Sequence, residues 1–130
     1  MIAQHQKSPI QLHIDHELWL NELGFYKEEL KVLDKYLLEA AGKNNSKEFS
    51  LELEHYQNQL VRQKDVLDEL LHDIRLHEQE LVKKIQEVNE IQAQKMKLDD
   101  HEEARDRVDM YKKLYAEFKH SLLAFIGKWM

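Results

Sequence analysis

Histidine is the residue type in this sequence whose number and spacing invite chemistry. There are eight histidines, and no cysteine or threonine. Imidazole serves as a general acid or base near neutral pH and is the commonest metal ligand. Two or three imidazoles beside carboxylates would suit zinc or iron. Other chemistries lack their residues. Without cysteine there is no disulfide, thiolate metal site or thiol nucleophile. The serines are Ser8, Ser46, Ser50 and Ser121, and Ser8 and Ser46 read as helix caps. Gly24, Gly42 and Gly127 stand far apart, so no phosphate-cradling loop is present. Nucleotide-dependent and triad enzymes are excluded, and no enzymatic activity is expected.

Helical geometry says which histidines converge. Residues on antiparallel helices are level when they lie equally far from the turn, because each helix rises equally per residue. A turn near residues 44–45 sets His16 level with Asp73 and His13 with Leu76. A second turn near residues 94–98 sets His77 beside residues 111–119. These relations gather His13, His16, Glu17, His72, Asp73, His77, Glu117 and His120 near one cross-section. Phase then selects among them. Only His16 and His77 occupy core stripes, whereas His72 and His120 point ~200° away from theirs. Glu17 and Asp73 flank the stripes and are able to turn inward.

Two readings follow. In one, His16, His77, Asp73 and Glu17 hold zinc or iron. In the plainer one there is no cofactor, and His16 and His77 are neutral core-edge residues hydrogen-bonded to carboxylates or to each other. His101, near the start of the last helix, is the blandest of the three stripe histidines. Glu-x-x-His occurs at Glu52/His55, Glu69/His72 and Glu117/His120. That spacing serves di-iron sites in ferritin-like bundles when both side chains face inward. Here all three histidines fall off the stripes and read as solvated.

The elements that must position these residues are all helical. Three Gly and one Pro are too few for the turns of a β fold. Ser8-Pro9-Ile10-Gln11 reads as a capping box with Pro at the first helical position. The stripe Leu12, His16, Trp19, Leu23, Tyr26, Leu30, Leu33, Leu37, Ala40 follows, and Gly42 is the expected left-handed C′ residue. Gly24, inside this helix at a cost of ~1 kcal/mol against Ala, hints at a close helix approach. After a polar turn, Leu53, Leu60, Leu67, Ile74, Leu81 and Val88 recur every seven residues. The last stripe runs His101, Ala104, Val108, Tyr111, Tyr115, Phe118, Leu122, Phe125, Trp129.

These patterns predict helices over 9–42, 47–90 or longer, and 100–128, in a single domain over 1–130. The predicted fold is all-α, an antiparallel up-down-up bundle of three long helices. A four-helix bundle is the alternative if the middle helix breaks near 72–78. Helix 1 carries a second apolar face, Ile14, Leu18, Phe25 and Val32, which asks for burial by the bundle or by self-association.

Charge and hydropathy bound the partners. There are 19 basic and 25 acidic residues, so a phosphate-neutralising surface and nucleic acid are not expected. Protonating all eight histidines would take the formal charge from −6 to +2. If His16, His77 and His101 are buried neutral, protonating them opposes folding or assembly, which raises pH sensing as a role. No apolar run spans a membrane, and no leader opens the sequence, so a cytoplasmic protein is expected. The basic, aromatic segment 111–130 offers a membrane-surface reading, against which stands its unbroken core stripe. The functional expectation is a helical bundle acting through protein–protein contacts or as a homodimer, with metal binding as the alternative.

Overall fold

The computed structural model describes residues 8–87 and 98–130. Three helices make it up: α1 Pro9–Lys43, α2 Lys47–Glu87 and α3 Leu98–Trp129. At 35, 41 and 32 residues they run for roughly 50–60 Å at 1.5 Å per residue. Cross-helix pairs set the directions. Lys27 meets Asp68 and Lys64 meets Asp34, so α1 and α2 are antiparallel. Glu22 meets Lys112 and Glu29 meets Lys119, so α1 and α3 run together. The fold is therefore the expected all-α, up-down-up bundle. Helix α2 is unbroken through residues 72–78, which removes the four-helix alternative.

The helix starts are made by the residues that predict them. The Ser8 hydroxyl accepts from the Gln11 amide at 3.3 Å, and Gln11 Oε1 accepts from the Ser8 amide at 2.8 Å. Ser46 caps α2 by accepting from the Phe49 amide at 3.1 Å. Helix α3 begins at Leu98, ahead of the expected residue 100. The expected stretch of the second helix beyond Glu87, to residue 90 or further, with Val88 and Ile91, lies outside the described residues.

Both glycine expectations are corrected. Gly42 lies inside α1, and no glycine among the described residues has a positive φ. Asn44 ends the helix instead, in an extended conformation. Its Nδ2 donates to the Ala40 carbonyl at 2.9 Å and to the Trp129 carbonyl at 2.8 Å. One side chain thus satisfies two terminal carbonyls, which helix ends otherwise leave bare. A Cβ at Gly24 would meet nothing within 4 Å, so no helix of the bundle approaches it.

The core follows the three stripes. Leu23, Leu30, Leu33 and Leu37 of α1 pack with Leu60, Leu67, Leu70 and Ile74 of α2. Val108, Tyr111, Tyr115, Phe118, Leu122 and Phe125 close it from α3. Phe49, outside the heptad read from sequence, is buried and stacks on Phe125 at 5.5 Å with Trp129 edge-on at 5.2 Å. The buried tyrosines keep their hydroxyls bonded: Tyr115 donates to Glu29 at 2.7 Å and Tyr111 to the Gln63 carbonyl at 3.4 Å.

The α2–α3 register differs from the expectation. Asp73 faces Arg107, Gln63 faces Tyr111 and Tyr56 faces Ser121. These α3 partners lie about three to five helical turns nearer the start of that helix than the expected second turn implies. This shift decides which residues meet His77.

Candidate functional site

The start of α1, the later part of α2 and the start of α3 bring a histidine cluster together. His16 and His101 are its interior members, 3% and 2% exposed. Their rings lie 5.3 Å apart, and Trp19 stacks on His101 at 4.9 Å. His77 meets His16 edge-on at 6.3 Å. The α2–α3 register puts His101 here, where the expectation set residues 111–119 beside His77.

Glu78 organises the α1 side. One of its oxygens lies 2.8 Å from His16 Nδ1 and the other 2.5 Å from His13 Nδ1. His13 also presents Nε2 to Glu17 at 2.6 Å. Both nitrogens of His13 therefore face carboxylates, an arrangement that only the doubly protonated ring satisfies. The hydrogen bond from Glu78 accordingly raises the His13 pKa above its usual value, with the charges of Glu78 and Glu17 adding to it.

His16 and His101 behave oppositely. Burial lowers the His16 pKa, with the Glu78 hydrogen bond opposing. Burial likewise lowers that of His101, with the hydrogen bond to Asp15 at 2.8 Å opposing. As neutral rings, His16 donates through Nδ1 to Glu78 and His101 through Nε2 to Asp15. That leaves His16 Nε2 and His101 Nδ1 as buried nitrogens with no hydrogen-bond partner. In these tautomers each is a bare lone pair rather than a stranded N–H. Arg105 completes the outer edge, bonding Asp15 at 3.2 Å and Glu102 at 3.0 Å.

Of the four metal candidates, the fold brings His16 and His77 together and leaves the two carboxylates apart from them. Asp73 pairs with Arg107 at 2.9 Å, and Glu17 pairs with His13 on the exposed rim. Among the described residues, no three His, Asp or Glu side chains are grouped to hold a metal ion. Glu117 lines a groove with His55 elsewhere on the bundle, and His72 and His120 are exposed. Sequence reasoning missed Glu78 and Asp15, and it put His101 on a core stripe, where it is buried, without its partners. His13 and His16, one turn apart, present to one neighbour on α2, and that spacing was the available sign of a shared carboxylate.

A second feature lies on the opposite side of α1. Ile14, Leu18, Phe25 and Val32, joined by Tyr36, remain 41–61% exposed. The bundle does not supply the burial that this face was expected to need. The C-terminal aromatics do the reverse: Tyr111, Tyr115, Phe118 and Phe125 point into the core, which removes the basis for a membrane-surface helix. Among the described residues, no helix is long and apolar enough to cross a membrane. Compared with known protein families, curated proteins and solved structures, the chain matches none.

Proposed function

We propose that this chain is a non-enzymatic helical bundle that works by binding protein through the outer face of α1. One observation carries the reading. Ile14, Leu18, Phe25, Val32 and Tyr36 line an exposed face of a helix whose other face already fills the core. The largest exposed apolar patch on a monomer, commonly ~300–600 Å², is often functional, and larger ones mark interaction sites. A cytoplasmic setting fits a chain without cysteine. The histidine cluster, in this reading, holds the ends of the three helices in place and makes that hold sensitive to pH.

The test places a photoreactive benzophenone side chain at position 18, and separately at the exposed position 75 of α2 as a control, in cells making the full chain. Protein adducts at 18 and not at 75 are expected. An absence of adducts at 18 would contradict the reading.

A metal-binding role is a second reading, favoured by the two bare imidazole lone pairs of His16 and His101. With His77 moving inward they would offer zinc or iron three nitrogens. A thermal midpoint that rises on adding either ion to untagged protein would support it, and an unchanged midpoint would remove it.

A further inference from the structure

Resting on the reading of the α1 outer face as a protein-binding surface, we infer that its occupant is a second copy of this chain, packed antiparallel about a two-fold axis at Phe25. The spacing of the stripe is the first reason. Leu18 and Val32 lie seven residues to either side of Phe25, and Ile14 and Tyr36 lie eleven to either side. All five fall within an arc of about 40° at 3.6 residues per turn. A two-fold interface is self-complementary: residue i meets j while j meets i. An antiparallel copy centred on Phe25 therefore places Leu18 on Val32, Ile14 on Tyr36 and Phe25 on itself. An unrelated partner would impose no such symmetry.

Charge supplies the second reason. Glu17 and Lys31 sit on the same flank, about 80° and 120° round the helix from the stripe's centre, and are both strongly exposed. Their midpoint is Gly24, one residue from the axis, so the two-fold brings Glu17 of each copy to within two residues, about 3 Å along the helix, of the level of Lys31 of the other. Among the described residues their ion pairs are local, with His13 and Glu28. On the other flank Glu22 and Glu29 would approach their counterparts, but Lys112 and Lys119 of the same chain already neutralise them.

Area is the third. Five half-exposed side chains offer on the order of 500 Å² of apolar surface per copy, and the flanking stems bring the contact towards the ~800 Å² a side of a standard interface. Asn21 and Glu28 interrupt the stripe, so the pair is expected to be reversible at micromolar concentration rather than obligate.

Because the chain has no cysteine, single-cysteine variants of the full chain report the register directly. Under oxidation Phe25→Cys, on the axis, is expected to link to itself. Leu18→Cys and Val32→Cys are each expected to stay unlinked alone and to link to each other when mixed. Glu17→Lys is expected to weaken self-association several-fold, and Glu17→Lys with Lys31→Glu to restore it. Self-linking of Leu18→Cys as readily as Phe25→Cys would reveal a parallel pair and overturn the proposal. No linking at any of the three positions would overturn it too. Failure of the broader reading is told apart by the benzophenone probe at position 18. Adducts only to other proteins, without cysteine links, would retain a protein-binding face and exclude self-pairing.

Discussion

At the end where α1 turns into α2, Phe49 lies against Phe125 and Trp129, and Asn44 ties the turn to the last carbonyl of α3. At the other end, the corresponding stripe positions carry His16 and His101, held by Glu78 and Asp15, with His77 edge-on to His16. The same helical phase builds both ends, yet the aromatic end buries apolar rings and keeps the ion pairs of Lys128 at the surface, while the histidine end bonds carboxylates to its buried rings. Apolar burial is indifferent to pH. Imidazoles whose burial favours the neutral form, beside one whose carboxylate partners favour the charged form, are not. The comparison teaches that one bundle can keep a pH-independent anchor at one end and a titratable clasp at the other.

The largest test of this contrast is Phe49→Ala. Removing a fully buried ring should cost about 3–5 kcal/mol, by the same amount at pH 8 and pH 5.5, measured by urea unfolding. A loss that changes with pH would break the comparison. Glu78→Ala should cost less, about 1–3 kcal/mol, because it strands two hydrogen-bonding partners rather than leaving a large cavity. Its cost should grow as pH falls, since Glu78 stabilises the protonated form of His13. Equal cost across the range would mean that His13 carries no charge in the fold.

The wild-type pH profile is a subtler test, and its sign follows from the three rings. His16 and His101 have folded pKa values below the ordinary 6.5. Their neutral forms stabilise fully above that value, and the stabilisation is lost as pH falls below it, when the unfolded chain takes up protons that the fold refuses. His13 is raised, so its contribution is present below 6.5 and lost as pH climbs through the higher folded value. Two buried rings oppose one that sits on the rim. The thermal midpoint should therefore decline from pH 7 towards pH 5, and His101→Phe, which retains the stack on Trp19, should shallow the decline. A profile unchanged in that variant would show that His101 is not part of the clasp.

Much of the fold was legible because its signals are local. The Ser8-Pro9-Gln11 box, the heptad from Leu53 to Leu81 and the α3 stripe each depend on neighbours within a few turns. The site was only half legible, because it depends on register between helices. Placing His77 opposite residues 111–119 rested on an assumed position for the second connection, and each residue of error there displaces the partner by about two. His101 was read as a core-stripe residue without a partner for that reason. Gly42 misled because a left-handed glycine is the common helix stop, whereas the two carbonyls Asn44 reaches include one from α3, a tertiary contact with no local sign.

The outward stripe of α1 is the other half of the account, since the same helix fills the core with one face and keeps an apolar face in water. Sedimentation equilibrium of the wild-type chain and Phe25→Glu, across a micromolar concentration series, tests it most directly. The account predicts a wild-type mass rising towards two chains with concentration, while Phe25→Glu stays at one chain and melts like the wild type at the lowest concentration. A wild-type mass fixed at one chain throughout would contradict it.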